Sequence, residues 1–183
     1  RFTMADVVDG VAQKLVYRHP HVFGDVNASN EAEALKSWDD AKQKSKQQKT
    51  HTQVLQSVSR ALPALIRSEK VQKKAAKAGF DWPDVQGAME KVAEELEEVR
   101  AAAAEENPQA CMDEVGDLLF AAVNVARFLR AEPEEALTRS CVKFIRRFQS
   151  VEELAAAKGM DMEKASLEEL DALWDEAKRA EKA

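Results

Sequence analysis

Two pairs of acidic residues constrain the fold of this chain more than any other feature. Glu95 and Glu98 form the first pair, and Glu114 and Asp117 form the second. The i, i+3 spacing within each pair places both carboxylates on one helix face, about 5–6 Å apart at Cβ. Two such helices packed antiparallel would direct four carboxylates to one place. The sequence therefore predicts a helical hairpin with a concentrated negative charge.

Four carboxylates at one place repel one another unless a cation neutralises them. Hard divalent cations with oxygen ligands, above all Mg²⁺, meet that requirement. A bound Mg²⁺ can in turn hold polyphosphate and activate water. The acidic quartet therefore predicts a Mg²⁺ site, at which Mn²⁺ is expected to substitute.

The alternative interpretation is that these acids only solvate exposed helix faces. We adopt it for the neighbouring glutamates Glu94, Glu97, Glu105 and Glu106. Glu114 and Asp117 differ, because they open a helix that is otherwise nearly all apolar, and Asp117 is expected close to the core. A buried carboxylate without a partner is costly, which favours metal binding, although the helix dipole also stabilises an acid near a helix N-terminus.

The composition favours an all-α fold. The 183 residues include only 6 Gly and 5 Pro, and the abundant Ala, Glu, Lys and Leu are good helix formers. Apolar residues make up 45 % of the chain and charged residues 33 %, a balance typical of a globular domain with a charged surface. Short loops between long helices predict an antiparallel helical bundle.

Capping and stop signals predict the helix boundaries. Pro63 fits the first turn of a helix that Gly79 ends. Ser166 and Glu169 form a capping-box signature for the last helix. Three more helices are expected at about 84–106, 109–130 and 133–158.

Two of these helices have apolar faces that we expect to be buried. The first face consists of Met89, Val92, Leu96 and Val99, with Glu95 at its edge. The second consists of Val115, Leu118, Leu119, Ala122, Val125, Ala126 and Leu129. A polar line crosses this second helix at Glu114, Asp117, Ala121 and Asn124.

One sequence pattern occurs twice, in the same order. Its first element is Lys, two apolar residues, one variable residue and Arg, with a Val four further on, and it occurs at 14–22 and 143–151. Its second element, Trp-Asp-acid-Ala-Lys, occurs at 38–42 and 174–178. The two ordered matches predict a tandem duplication, the alternative being a convergence of helix-end sequences.

The first copy is incomplete, because no acidic quartet precedes Lys14, and the chain opens with Arg1 rather than Met. We expect a segment upstream of it to be missing. We assign 1–44 to the remnant of the first copy, 45–50 to a polar linker and 51–183 to a complete second copy.

Charge and hydropathy exclude several partners. The net charge of −6, with much of the acidic excess within 90–117, argues against a nucleic-acid partner. The apolar stretch at 118–129 is interrupted by Asn124 and Arg127 and is too short to span a bilayer. We interpret Cys111 and Cys141 as buried, reduced thiols. With no signal peptide visible, we expect a cytoplasmic protein without a membrane partner.

Lys143 and Arg147 are predicted phosphate-binding residues. They lie at i, i+4, one helical turn apart, and cations there could neutralise the charge of metal-bound phosphates. The alternative is that they pair with surface glutamates. The same pair recurs at Lys14 and Arg18, which favours phosphate binding slightly.

Other polar and aromatic residues leave two interpretations open. Asn124 could hydrogen-bond a substrate group or satisfy a neighbouring residue. Trp174 and Trp82 could stack on a base or fill the core. The chain contains no Gly-rich phosphate loop. The three histidines, His19, His21 and His51, lie before or at the start of the complete copy, so a Ser/His/Asp set is not indicated.

Several segments resemble one known family. Glu94-Glu95-x-x-Glu98, fifteen residues and then Glu114-x-x-Asp117 are similar to the signature of MazG-type nucleoside triphosphate pyrophosphohydrolases. DEVGDLLFAAVNVARFL, KFIRRF and YRHPHVFGD also resemble tandem-domain members of that family. The resemblance covers essentially the whole chain.

The resemblance implies a dimeric all-α bundle that hydrolyses nucleoside triphosphates to monophosphate and pyrophosphate with Mg²⁺. Glu95, Glu98, Glu114 and Asp117 would be the metal ligands and catalytic residues. Substrate-binding residues would be Lys143, Arg147, Asn124, Lys91 and Trp174. Two alternatives stay open: a pyrophosphatase that is narrow for dUTP, dCTP or phosphoribosyl-ATP, and a helical dimerisation module without activity.

Overall fold

A computed structural model describes residues 1–45 and 49–181 of the chain. Within these ranges every regular element is a helix, which confirms the predicted all-α class. The helices are α1 (Met4–Arg18), α2 (Pro20–Phe23), α3 (Glu31–Ser45), α4 (His51–Gln56), α5 (Ala64–Lys77), α6 (Val85–Ala104), α7 (Pro108–Phe128), α8 (Pro133–Ala157) and α9 (Leu167–Ala180).

The described chain forms two compact units. Unit 1 comprises Arg1–Ala61 and Lys70–Asp81, and unit 2 comprises Leu62–Glu69 and the described residues from Trp82 onward. The division we predicted, at 44/45 and 50/51, stays a prediction. Residues 46–48 of the predicted linker lie outside the described ranges.

Helices α6 and α7 pair with each other in unit 2. Asp84 caps α6, because its carboxylate accepts hydrogen bonds from the amides of Gln86 and Gly87. Asn107 caps α7, and Pro108 occupies the first turn. The link between the two helices is therefore only a few residues long, which makes them a helical hairpin.

Trp82 lies directly against the start of α6. A Cβ added at Gly87 would come within 2.7 Å of Cε3 of the Trp82 indole. The absence of a side chain at Gly87 therefore allows the ring to pack on the helix backbone.

Helices α8 and α9 form a second hairpin in unit 2. The predicted capping box at its α9 start is present: Ser166 Oγ accepts from the Glu169 amide, and Glu169 accepts from the Ser166 amide. A core cluster joins the two helices through Val151, Ala155, Leu173 and Ala177. Gly159 ends α8 with a positive φ of 63°, as Gly79 ends α5 with φ of 89°.

Helices α1, α2 and α3 pack together in unit 1. Helix α1 ends at Arg18, and His19-Pro20 starts the short helix α2. Proline has no amide hydrogen and so interrupts a helix that would otherwise continue.

Several burial predictions are wrong for the single chain. On α7, Val115, Leu119, Ala122 and Leu129 are exposed, whereas Ala121 of the predicted polar line is buried. On α6, Met89 and Leu96 are exposed. Cys141 is exposed and Cys111 is half-buried, so neither is the buried thiol we expected. Among the described residues, no helix is long and apolar enough to cross a membrane.

Candidate active site

Three of the four predicted acids come together on the α6–α7 hairpin. Carboxylate oxygens of Glu95, Glu98 and Glu114 all lie within 4.8 Å of one another. Glu95 and Glu98 are one turn apart on α6, and Glu114 reaches them from α7. The i, i+3 spacing and the short connection between the helices together produce this acidic cluster.

Glu95 is the buried member of the acidic cluster, with 4 % relative exposure. Its Oε1 lies 2.6 Å from Nζ of Lys91. Its Oε2 is buried and has no hydrogen-bond partner. An ionised oxygen in that position is costly unless something binds it.

Lys91 contributes a positive charge next to the acidic cluster. Its ammonium group also lies 2.8 Å from Oε1 of Glu94, so it bridges two adjacent glutamates. Hydrogen bonds to Glu94 and then Glu95 raise the pKa of Lys91. Lys91 therefore stays charged and offsets part of the negative charge on Glu95.

The pKa values of Glu95 and Glu98 shift in opposite directions. The hydrogen bond from Lys91 lowers the pKa of Glu95. Hydrogen bonding to Glu95 raises the pKa of Glu98, and desolvation and repulsion by Glu95 and Glu114 add to the effect. The cluster thus holds more negative charge than Lys91 balances.

The cluster fits a divalent cation with oxygen ligands. Three carboxylates converge from two helices, and one of their oxygens is buried without a partner. Hard cations such as Mg²⁺ and Mn²⁺ accept carboxylate oxygens of this kind.

Asp117 does not lie where we predicted it. Its side chain is exposed rather than close to the core, and its oxygens are not among those that lie within 4.8 Å of one another in the acidic cluster. It is one turn beyond Glu114 on α7. The helix spacing places it on the same face as Glu114, but its carboxylate is not one of the three that converge.

The amide oxygen of Asn124 is already engaged. Nε and Nη2 of Arg127 donate to it at 2.9 and 2.8 Å. Of the two interpretations that the sequence left open, the structure shows the neighbouring residue as the partner of this oxygen.

The predicted phosphate-binding residues lie on α8. The guanidinium of Arg147 lies over the indole of Trp174, 5.8 Å from the ring centroid. Trp174 also contacts Phe144, with ring centroids 5.1 Å apart. Lys143 is exposed one turn before Arg147.

Arg147 pairs with a glutamate, the alternative that the sequence left open, but the sequence did not identify that residue as Glu181. Nε of Arg147 donates to Oε2 of Glu181 at 2.8 Å, and Nε of Arg146 donates to Oε1 at 3.0 Å. Arg147 first, and then Arg146, lower the pKa of Glu181. The only signal in the sequence was a run of charges after Trp174, which is also typical of any helix end.

Comparisons with known proteins identify a family for this chain. Residues 84–152 match the MazG nucleotide pyrophosphohydrolase domain. The chain is 41 % identical over 183 residues to the nucleoside triphosphate pyrophosphohydrolase of Escherichia coli K12, covering 99 % of this chain and 70 % of that protein. The chain belongs to the MazG nucleotide pyrophosphohydrolase family. It is therefore an enzyme of the hydrolase class.

Two further MazG relatives show how the chain compares along its length. It is 39 % identical over 177 residues to the nucleoside triphosphate pyrophosphohydrolase/pyrophosphatase MazG of Thermotoga maritima, covering 97 % of this chain and 66 % of that protein. It is 49 % identical over 185 residues to the uncharacterized protein YabN of Bacillus subtilis, covering 99 % of this chain and 37 % of that protein. The MazG domain match contains the acidic cluster, Lys143 and Arg147, and ends before Trp174 and Glu181.

Proposed function

We propose that this chain hydrolyses nucleoside triphosphates to nucleoside monophosphate and pyrophosphate in a Mg²⁺-dependent reaction. The observation that carries the proposal is the acidic cluster, in which the buried Glu95 leaves one oxygen without a partner. Relatives from E. coli and T. maritima that carry the name of this activity support the same conclusion.

Glu95, Glu98 and Glu114 would hold the cation, with Asp117 as a fourth ligand from the edge of the cluster. When bound, Mg²⁺ supplies positive charge to the triphosphate and lowers the pKa of water. Mn²⁺, with similar oxygen preferences, would substitute.

The protein's own residues orient the substrate and move one proton. Lys143 and Arg147 bind the phosphates and offset the charge that develops on the leaving pyrophosphate. A glutamate of the acidic cluster accepts the proton of the attacking water. The water oxygen bonds to the α-phosphorus, and the bond between that phosphorus and the bridging oxygen to the β-phosphorus breaks, so pyrophosphate leaves with the bonding electrons.

We expect a broad range of bases. The sequence shows no convincing set of base-reading residues, and Asn124, which could hydrogen-bond a substrate group, has its amide oxygen engaged by Arg127. Trp174 offers an aromatic surface, which every base can contact. Neither feature selects one base by hydrogen bonding.

We propose that the chain acts as a homodimer in the cytoplasm, where nucleoside triphosphates are abundant. Large apolar side chains on the helices of unit 2 are exposed in the single chain, which is unusual for a stable monomer. They include Met89, Leu96, Met112, Val115, Leu119, Phe120, Leu137, Val142, Ile145 and Phe148.

The test is pyrophosphate release from eight nucleoside and deoxynucleoside triphosphates, with Mg²⁺, with Mn²⁺ and with EDTA. We expect metal-dependent pyrophosphate and monophosphate from many bases. Activity on a single nucleotide would contradict the broad range and indicate a narrow pyrophosphatase. Silence on all substrates would contradict the proposal and favour a dimerisation module.

A further inference from the structure

The carboxylate of Glu181 sits on the arginine that we assign to phosphate binding. It accepts a hydrogen bond from Nε of Arg147 at 2.8 Å, and the two side chains are only 18 % and 21 % exposed. Arg146, which is 67 % exposed, donates to the other oxygen of the same carboxylate. Glu181 therefore joins the end of α9 to α8 through two guanidinium groups.

This contact uses one edge of the Arg147 guanidinium. A guanidinium has five N–H donors in a planar fork, and Glu181 takes the Nε–H. Within the described residues, no protein acceptor engages the Nη groups of Arg147. Trp174 lies against the guanidinium, and Glu181 binds its Nε edge. These two contacts together orient the Nη edge.

Helices α1 and α3 of unit 1, which we call the first hairpin, show that an arginine can lie over a tryptophan without such a carboxylate. In unit 1 the Arg18 guanidinium lies 5.8 Å from the Trp38 ring centroid, the same distance as in the Arg147 pair. The register that aligns Trp38 with Trp174 aligns Ser45 with Glu181. Ser45 instead donates to the carbonyl of Lys42, and Nε of Arg18 is buried without a partner.

We infer that Glu181 is a positioning residue, which orients Arg147 so that its Nη edge meets the triphosphate. The inference rests on the proposed function, because it needs Arg147 to contact the substrate. A pre-oriented guanidinium loses less conformational entropy when it binds phosphate. The same carboxylate also offsets the charge repulsion between two adjacent arginines.

The test measures KM and kcat for one nucleoside triphosphate with four variants of the full chain. We expect Glu181→Ala to raise KM about three- to tenfold, less than the full value of a hydrogen bond to a charged group, because Glu181 acts only through the orientation of Arg147. The effect on kcat should be smaller. Glu181→Gln keeps an acceptor for Nε, so it should restore much of the loss. Glu176→Gln is the matched control, because Glu176 is also ion-paired on α9 but with Lys158, and its KM should not change.

Arg147→Gln separates the inference from the proposed function. If Arg147→Gln raises KM and Glu181→Ala does not, the positioning role is wrong and phosphate binding by Arg147 stands. A lower KM in Glu181→Ala would also overturn the role, because it would mean that Glu181 competes with the substrate. If Arg147→Gln leaves KM unchanged, both ideas fail. Should Glu181→Ala not fold, Glu181→Leu takes its place, because leucine is similar in size to glutamate but offers no acceptor to Nε. A raised KM is then expected, and an unchanged or lower KM would contradict the role.

Discussion

Two hairpins of the chain, α1–α3 in unit 1 and α8–α9 in unit 2, share an arginine–tryptophan contact and a helix cap although their first helices differ in length. Both place an arginine guanidinium 5.8 Å from the ring centroid of a tryptophan. Asn30 Oδ1 accepts from the Glu33 amide at the start of α3, as Ser166 Oγ accepts from the Glu169 amide at the start of α9. These matches support the predicted duplication.

The two hairpins differ where the first helix ends. Helix α8 continues ten residues beyond Arg147, to Ala157, whereas α1 ends at Arg18 before Pro20. The seven extra residues of the second copy correspond to about two helical turns. Helix α1 is therefore the shorter one, yet the distance from the arginine to the tryptophan ring is the same in both hairpins.

A second difference is the partner of each arginine. In unit 2 Glu181 supplies a carboxylate for Arg147. In unit 1 the matching arginine has a buried Nε without a partner. The comparison shows that an arginine lies at the same distance from a tryptophan with and without a carboxylate on its Nε.

The largest expected effect comes from removing acids of the α6–α7 hairpin. Glu98→Gln or Asp117→Asn should abolish turnover, a loss of more than about 10³-fold, with the helical circular dichroism unchanged. Glu97→Gln and Asp113→Asn are matched controls on the same helices, since Glu97 pairs with Arg100 and Asp113 with Gln109. Retained activity in both acid variants would refute the assignment of the site.

The second prediction compares the two arginines directly. Arg147→Gln should lower kcat/KM about 10–100-fold, because a charge-assisted contact to phosphate is lost. Arg18→Gln, the equivalent change in the first hairpin, should leave kcat/KM within about twofold. Equal losses would mean that both copies contribute to one activity.

The third prediction is that both hairpins lose similar stability when their caps are removed. Ser166→Ala and Asn30→Ala should each cost about 1 kcal/mol, measured by thermal or urea unfolding.

The same two caps predict a pH dependence of stability. Backbone hydrogen bonds from Ser166 and Ser29 lower the pKa values of Glu169 and Glu33. Because a lowered folded pKa stabilises above the unfolded value of about 4.3, this contribution is lost as pH falls through the folded pKa.

The smallest expected effect is a gain in stability, whereas removal of the caps lowers stability. Glu98 has a raised pKa, so its stabilising contribution is present below the unfolded pKa and is lost as pH rises through the folded pKa. Without metal, Glu98→Gln should therefore raise Tm at neutral pH by a few degrees at most. The difference should shrink as the pH is lowered, and a lower Tm at neutral pH would contradict the repulsion that we infer.

Local signals explain what the sequence predicted correctly. The capping box at Ser166 and the stop at Gly79 each depend on residues within one turn. The same holds for Glu95, Glu98 and Glu114, which needed only helix spacing and a short connection to meet.

Burial and long-range ion pairs could not be predicted from such local signals. Asp117 follows an apolar pattern but is exposed, because a pattern identifies a face and not what covers it. The apolar positions Leu119 and Met89 are likewise exposed in the single chain. The pair of Arg147 with Glu181 joins residues 34 positions apart, and nothing in the spacing of surface charges selects such partners.

The most direct test of the central claim is a single-turnover reaction in ¹⁸O-labelled water with Mg²⁺. Attack at the α-phosphorus predicts that the label enters the nucleoside monophosphate and that unlabelled pyrophosphate is released. Glu98→Gln should give neither product. Label in the pyrophosphate, release of orthophosphate, or equal product with EDTA would contradict the account.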